Sequence, residues 1–187
     1  MSAFTRLYTN HSSDLSEWLQ QVKPVLRVNE NLQLSFLRAT GLRASEGVAA
    51  FNLIIEYSKR GKLSEYLTET GVLEHFRFKE TFIRGTKNCF VSVVPRELIA
   101  EIAKSEPVSY LAIIKRFQRK GMKSRIGELR DFYGTFMLSH GLLREEIDLL
   151  QGRVGKSIFA RFYWSPSFAE LQSRIKKALE KMRSEDL

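Results

Sequence analysis

Most of this sequence repeats one pattern, in which apolar residues recur at helical spacing until a glycine or proline ends the run. In the clearest case the apolar residues are Leu129, Phe132, Tyr133, Phe136 and Met137, and Gly141 follows. Residues three and four positions apart share one face of an α-helix, and an apolar face has to be buried. Glycine readily takes the left-handed conformation that ends helices. The pattern therefore predicts a mainly helical fold.

Further helices are expected on both sides of this one. Their predicted extents are residues 14–23 before Pro24, a run ending at Gly41, a helix capped by Ser45 and ending before Gly61, a helix with Pro95 near its first position, a helix opened by Ser109 and ending at Gly121, a helix around Ile147 and Leu150 that ends at Gly152, and a last helix from Phe168 to Met182.

The pattern changes between residues 73 and 95, where strand-forming residues replace the helical runs. Phe76 and Phe78 alternate with charged residues, and residues 90–94 are rich in valine. Such alternation is typical of a half-buried β-strand. Turn-forming residues occupy positions 85–88, and a second turn is expected near residues 79–81. The segment predicts a small three-stranded antiparallel sheet.

The length of 187 residues fits one domain with a full core. We expect residues 1–187 to form a single unit, with a flexible start at residues 1–12 and a tail helix at residues 165–187 that follows the break at Ser165-Pro166. The sequence contains no internal repeat and no change of composition that would mark a second domain.

The chain is strongly basic, with 30 Lys and Arg against 21 Asp and Glu and a formal net charge of +9. A positive field of this kind attracts nucleic acid or an anionic membrane surface. Six positive charges are concentrated in one run, at Lys115, Arg116, Arg119, Lys120, Lys123 and Arg125. The run is either a solvated helix end or a stripe that contacts phosphates. We favour the stripe, because it leads directly into the helix that contains Arg130.

Several classes of protein are disfavoured by what the sequence lacks. It has no run of about eighteen apolar residues such as a transmembrane helix needs, and its first residues do not resemble a secretory signal. Cys89 is the single cysteine, and three scattered histidines match no zinc spacing. A lone cysteine fits a reducing compartment, so we expect a cytoplasmic protein without a structural metal.

Two arginines and a tyrosine stand in a suggestive order near the end of the chain: Arg130, Arg153 and Tyr163. Guanidinium groups stay protonated and oppose the charge that grows on a phosphodiester under attack. A tyrosine nucleophile conserves the bond energy as a phosphotyrosine. Each residue alone has an ordinary interpretation: a packed aromatic for Tyr163, helix capping for Arg153, and for a buried Arg130 either a carboxylate partner or a ligand phosphate.

Upstream motifs complete an order that resembles the tyrosine recombinases, also called lambda-type integrases. The stretch Gly41-Leu42-Arg43-Ala44-Ser45-Glu46 fits the turn that holds the family's first arginine. Arg84-Gly85-Thr86-Lys87 supplies a hairpin lysine, Leu129-Arg130 fits the second arginine, and Leu150-Gln151-Gly152-Arg153 stands where a leucine-glycine-histidine segment is usual. The forms of the hairpin and of the last motif look most like integrases of spindle-shaped archaeal viruses and related archaeal plasmids.

The resemblance implies a catalytic role for five residues. Arg43 and Arg130 would hold the scissile phosphate, and Arg153 would support it. Tyr163 would attack and form a 3′-phosphotyrosine, and Lys87 would protonate the 5′-hydroxyl leaving group. The resemblance implies no metal and no nucleotide cofactor.

One position departs from the family pattern. The family has histidine or lysine three residues before the second arginine, and this chain has Gly127 there. Glycine has no side chain that could transfer a proton or contact a phosphate. Arg125 or Lys123 is a candidate to fill that space.

The expected function is that of a site-specific DNA recombinase or integrase catalytic domain that acts on a double-stranded attachment site, as a tetramer in the synapse. The family's N-terminal core-binding domain is not expected before residue 13. Two alternatives stay open. One is strand passage like that of a type IB topoisomerase, and the other is a non-catalytic DNA-binding regulator with the same fold.

Overall fold

A computed structural model describes residues 11–85, 87–153 and 167–184, and α-helices account for most of that part of the chain. The helices are α1 (His11–Val22), α2 (Val28–Thr40), α3 (Ala44–Lys59), α4 (Lys79–Phe82), α5 (Arg96–Ala103), α6 (Tyr110–Arg119), α7 (Glu128–Ser139), α8 (Arg144–Leu150) and α9 (Phe168–Ser184). The strands are β1 (Val72–Leu73), β2 (Ile83–Arg84), β3 (Lys87–Asn88) and β4 (Ser92–Val93). The prediction of a mainly helical fold is confirmed.

Glycines end most of the predicted helices in the left-handed conformation. Gly41, Gly61, Gly121, Gly141 and Gly152 all have φ between +62° and +87°. This backbone conformation is costly for residues that carry a Cβ. The glycines that follow the apolar runs in the sequence therefore mark the ends of the helices, as predicted.

The β segment differs from its prediction in two respects. The described strands form two separate antiparallel pairs, β1 with β4 and β2 with β3, in place of one three-stranded sheet. The turn expected near residues 79–81 is wrong, since those residues belong to α4, and the alternating run before them forms a 3₁₀ turn at His75–Arg77. Aromatic packing explains this: the Phe78 ring lies edge-on to Tyr66 at 5.0 Å. The turn after β2 is confirmed.

The start of α3 also differs from its prediction. Ser45 was expected to cap the helix, but α3 begins at Ala44, and Arg43 is the N-cap residue. The buried Glu46 carboxylate accepts the backbone N–H of Arg43 at 3.2 Å. A glutamate at the third helical position satisfies an amide that would otherwise lack a partner, and so it fixes the helix start before Ser45.

Among the residues that the structure describes, buried apolar side chains form two clusters. The larger one centres on α2, α3 and the helices against them, where Phe36 and Phe51 meet edge-on at 6.1 Å. The smaller one joins α7 to α9, with Met137, Leu171 and Ile175 buried in it. The last helix is thus part of the core.

A buried ion pair also fastens α9. Glu146, which is 1% exposed, accepts Arg174 Nη1 at 2.8 Å and is also bonded by Nη2. The tail helix expected within residues 165–187 is found at Phe168–Ser184. In the described ranges, no helix is long and apolar enough to cross a membrane.

Candidate active site

The turn between α2 and α3 positions the first candidate arginine. Gly41 has φ +62°, and a Cβ on it would lie 2.3 Å from Cδ1 of Tyr133, so that only glycine fits. Arg43 follows as the N-cap residue of α3, and its Nη1 donates to Glu46 Oε1 at 2.7 Å. About a quarter of the Arg43 side chain is exposed, whereas the Glu46 side chain is fully buried. The turn therefore holds the partly exposed Arg43 guanidinium against the buried Glu46 carboxylate.

Arg130 lies in α7 and is 8% exposed. Its Nη1 donates to the Gly41 carbonyl at 2.7 Å, and its Nη2 donates to the Gln151 carbonyl at 2.5 Å. Neither of these partners is the carboxylate that was one alternative from the sequence, and the other alternative, a ligand phosphate, stays a prediction. The arginine instead ties together the turn before α3 and the turn after α8.

The charge on Arg130 is not neutralised by those carbonyl groups. Burial, followed by the positive charges of Arg43 and Arg153, lowers the pKa of Arg130 to about 10. The guanidinium remains protonated at neutral pH, and it is repelled by two other guanidinium groups. Arg130 therefore lies within electrostatic reach of both Arg43 and Arg153. An anion placed among them would relieve that repulsion.

Arg153 is held by the end of α8. Its backbone N–H donates to the Asp148 carbonyl at 2.7 Å, and its side chain is exposed. The preceding Gln151 is buried, and its Nε2 donates to the Arg130 carbonyl at 2.8 Å. The Arg153 turn is thus fixed to the helix that contains the second arginine.

The predicted lysine is the first residue of β3. Its backbone pairs with that of Arg84 in the two-stranded hairpin. The neighbouring Asn88 donates its N–H to the Gly152 carbonyl over a long 3.5 Å, and a Cβ on Gly152 would lie 1.9 Å from Asn88 O. The hairpin backbone at Lys87 therefore passes directly beside the turn that leads to Arg153.

The β segment also contains a chain of buried polar side chains. Tyr66 Oη is 2.7 Å from His75 Nδ1, and His75 Nε2 is 2.9 Å from Ser92 Oγ. Burial lowers the pKa of His75 to about 3. Cys89, which directly follows the hairpin, is fully buried, and burial followed by the Glu46 charge raises the pKa of its thiol to about 12. These groups are buried core residues, and of them Cys89 lies within electrostatic reach of Arg43 and Arg130.

Tyr163 lies outside the described residues, so its predicted role as nucleophile stays a prediction. Gly127, the position that departs from the family pattern, has helical backbone angles and is exposed, with no heavy atom within 4 Å of a Cβ built on it. Space for a side chain is therefore available three residues before Arg130. Arg125, one candidate to fill that space, forms an ion pair with Glu128 at 2.6 Å.

The predicted DNA-contacting residues divide into two groups. Arg116 forms an ion pair with the buried Glu30 at 2.8 Å, and Arg125 is paired with Glu128. The remaining four, Lys115, Arg119, Lys120 and Lys123, are exposed at the end of α6 and in the segment after it. Which of them contact phosphates stays a prediction.

Sequence reasoning did not single out Glu46, Arg84 or Gln151 as site residues. Glu46 stood inside the quoted Gly41–Glu46 motif, and Gln151 stood inside the motif around Gly152. Glu46 and Gln151 are recognised as site residues because their polar side chains are buried. The spacing of residues in a sequence does not show which polar side chain is buried. Arg84 stood inside the quoted hairpin motif, but its place 3.8 Å from Glu46 depends on tertiary structure, which the motif does not reveal.

The arrangement places a buried guanidinium group within electrostatic reach of two others in a mainly helical domain. Within the described residues, no group of three or more histidine, cysteine or carboxylate side chains could hold a metal ion. Fixed guanidinium donors favour bidentate contacts to phosphate oxygens. The chemistry that suits such a site is binding, or reaction, of a phosphate ester.

A family model described as archaeal phage integrase matches residues 19–180. The chain belongs to the archaeal phage integrase family. None of the curated proteins and none of the solved structures compared with the chain matches it. Family membership supports an integrase or recombinase role in which the protein acts on DNA.

Proposed function

We propose that this chain is the catalytic domain of a site-specific DNA recombinase that cuts and rejoins DNA through a 3′-phosphotyrosine. The observation that carries the proposal is that Arg130 of α7 lies within electrostatic reach of Arg43, from the turn before α3, and of Arg153, from the turn after α8, with the Lys87 hairpin beside the Arg153 turn. The archaeal phage integrase match over residues 19–180 supports the same chemistry.

In the proposed reaction the phenolic oxygen of Tyr163 attacks the scissile phosphorus, and a new phosphorus–oxygen bond forms as the bond to O5′ breaks. Arg43 and Arg130 oppose the charge that develops on the non-bridging oxygens. Arg153 supports them at the solvent side, where its side chain is exposed. Lys87 gives a proton to the departing 5′-oxygen. Attack of a 5′-hydroxyl on the phosphotyrosine then rejoins a strand.

Binding of the duplex is assigned to the exposed basic residues that lead into α7. Phosphate contacts of this kind give affinity without base readout, together with a steep salt dependence. We propose further that residues 1–187 act as one domain in the cytoplasm, and that copies of the chain assemble as a tetramer on the attachment site, since strand exchange requires four cleavages.

The proposal can be tested without knowledge of the attachment site. The full chain is incubated with a library of nicked suicide duplexes of randomised sequence, and covalent adducts are recovered from a denaturing gel. We expect an adduct that maps to the peptide with Tyr163 and disappears in Tyr163→Phe. Tyr110, an exposed tyrosine at the start of α6, provides the matched control, because Tyr110→Phe should keep the adduct.

Other outcomes identify other functions. An adduct that persists in Tyr163→Phe would remove that residue from the role of nucleophile. Relaxation of supercoiled DNA without sequence preference would favour the topoisomerase-like alternative. Duplex binding without any adduct across the whole library would favour a non-catalytic regulator.

A further inference from the structure

The hairpin that contains Lys87 is too short to hold its own position. Each strand has two residues, and the two register pairs are Ile83 with Asn88 and Arg84 with Lys87. Isolated two-stranded hairpins are marginal in water even when they are longer. The place of the lysine relative to the arginines therefore depends on contacts between the hairpin and its surroundings.

One such contact runs from the hairpin to the arginine cluster. Arg84 Nη2 lies 3.8 Å from Glu46 Oε1, the same oxygen that accepts Arg43 Nη1 at 2.7 Å. The Glu46 side chain has no exposed surface, whereas that of Arg84 is 49% exposed. One buried carboxylate thus lies between two guanidinium groups that come from different elements, the start of α3 and the strand β2.

Phe82 and Cys89, at the two ends of the hairpin, are fully buried and anchor those ends in the core. Cys89 N–H donates to the Phe82 carbonyl at 2.9 Å, which joins the two ends of the hairpin to each other. The bond from Asn88 to Gly152 is long, at 3.5 Å. The ion pair of Arg84 with Glu46 therefore links the strand opposite Lys87 directly to the partner of Arg43.

We infer that Arg84 is a positioning residue that fixes the Lys87 hairpin against the arginine cluster through the shared Glu46 carboxylate. The inference rests on the proposed function, since it concerns how the general acid is delivered to the leaving group. Half of Arg84 is open to solvent, so direct contact with a DNA phosphate is the competing role. The two roles predict different effects of Arg84→Ala on the rate of adduct formation. Loss of a positioning residue impairs proton transfer to the leaving group, whereas loss of a phosphate contact removes a positive charge that stabilises the phosphate whatever the leaving group is.

The first test does not require activity. Cys89 is the single cysteine of the sequence, directly follows the hairpin and is fully buried, so its reaction with a thiol reagent reports hairpin opening. We expect Arg84→Ala to speed labelling of Cys89 by about fivefold or more under native conditions, since opening becomes easier when an anchoring contact is lost. Arg60→Ala is the matched control: Arg60 follows α3 at the end opposite Arg43 and pairs with Glu56 on the surface at 2.8 Å.

The second test uses the duplex recovered from the randomised library, made once with a normal 5′-oxygen and once with a bridging 5′-sulfur at the scissile bond. A thiolate leaves without a proton, so loss of general-acid function should be rescued by the sulfur substrate. We expect Arg84→Ala to slow adduct formation on the oxygen substrate by about tenfold or more and to match the unaltered chain on the sulfur substrate, because general acid catalysis contributes about 10²–10⁴-fold. Lys87→Ala should show the same pattern more strongly.

Three results would overturn the role of Arg84. Equal slowing on both substrates would assign it to phosphate contact, unchanged adduct formation on both would remove it from the reaction, and unchanged Cys89 labelling would show that it does not hold the hairpin. If the unaltered chain forms no adduct with any duplex of the library, the proposed function fails, and the catalytic part of this inference fails with it. The labelling result would then still decide the structural part.

Discussion

Arg130 and Gln151 hydrogen-bond to each other in both directions. The Arg130 guanidinium donates to the Gln151 carbonyl at 2.5 Å, and Gln151 Nε2 donates to the Arg130 carbonyl at 2.8 Å. With its other nitrogen on the Gly41 carbonyl, the arginine is fixed by neutral acceptors and keeps its full charge for a ligand. The several N–H donors of the planar Arg130 guanidinium are therefore as important for the site as its positive charge.

Replacement of Arg130 by lysine tests that statement. Lysine keeps the positive charge but has a single nitrogen, which cannot reach both carbonyl groups and a phosphate together. We expect Arg130→Lys to slow covalent adduct formation by about 10²-fold or more, the cost typical of losing one fixed donor at a developing oxyanion. The rate constant on the library-selected duplex provides the measurement, and circular dichroism checks the fold. A rate within threefold of the unaltered chain would show that charge alone suffices.

Gly152 is expected to tolerate no side chain, because of both its conformation and its neighbour. Its φ is +64°, and a Cβ would lie 1.9 Å from Asn88 O. Gly61 has φ +67° with nothing within 4 Å, so Gly61→Ala measures the conformational cost alone. We expect Gly152→Ala to lower the free energy of unfolding by about 1–3 kcal/mol more than Gly61→Ala, as overpacking does. Urea denaturation of both variants gives the two values, and equal losses would contradict the close approach of the hairpin to this turn.

Gly127, unlike Gly152, has space for a side chain, since no heavy atom lies within 4 Å of a Cβ built on it. Its backbone angles of −61° and −29° suit any residue. Gly127→Ala should raise the free energy of unfolding by about 0.5–1 kcal/mol, because alanine loses less entropy on folding. We expect Gly127→His to form adduct at least about tenfold faster than Gly127→Ala, since a positioned proton donor is restored. Equal rates for the two variants would show that the site reaches its full rate without a group at this position.

His75 makes folding sensitive to mild acid. Its pKa is about 3 in the fold, against 6.5 for an ordinary histidine. The unfolded chain therefore takes up a proton below pH 6.5 while the folded chain does not, and stability is lost as pH falls from 6.5 towards 3. We expect His75 to account for about 2 kcal/mol of the loss between pH 7 and pH 5.

Variants without the titrating ring isolate this contribution. His75→Gln should start at lower stability and show a correspondingly flatter pH dependence over that range, measured by urea unfolding at each pH. His75→Phe serves the same purpose if the glutamine variant does not fold. Curves that run parallel to that of the unaltered chain would contradict a neutral, buried His75.

The exposed lysines of the basic run should control salt dependence. Lys115 and Lys120 are exposed, whereas Arg116 in the same run is paired with the buried Glu30. Removing both lysines should reduce the slope of log K against log salt by about 1.8 if each contacts one phosphate, at about 0.9 per contact. Lys177, exposed on α9, is the control for loss of charge, and Lys177→Ala should leave the slope unchanged. An equal change in that control would indicate general attraction without a stripe.

The helices and their ends could be predicted because both are local properties. Apolar spacing predicted α7, and Gly41 and Gly141 end their helices where the sequence pattern stopped. The predicted small antiparallel β segment is present, but its strands form two pairs in place of one three-stranded sheet, because the strand propensity of Phe76 and Phe78 was overridden by aromatic packing around Tyr66. Tertiary contacts of that kind are not encoded in any short window of sequence.

The sequence motifs named the candidate arginines but not the groups that contact them. A motif order gave Arg43, Arg130 and Arg153, and Arg130 lies within electrostatic reach of the other two, while their catalytic roles stay predictions. The partners of Arg130 are backbone carbonyl groups, which every residue possesses, so no residue type pointed to them. The buried chain of Tyr66, His75 and Ser92 depends on pairing across the β segment, which spacing alone did not reveal.

The placement of α9 has a consequence for regulation. Leu171 and Ile175 of this helix share a buried cluster with Tyr133 and Met137, which belong to the same helix as Arg130. A partner that changes how α9 packs and a DNA that engages Arg130 would therefore act on one rigid element. Thermodynamic linkage makes such an effect reciprocal: whatever factor the partner imposes on DNA affinity, DNA imposes on the affinity for the partner. A change in the packing of α9 would thus be a second way, besides DNA binding, to affect Arg130.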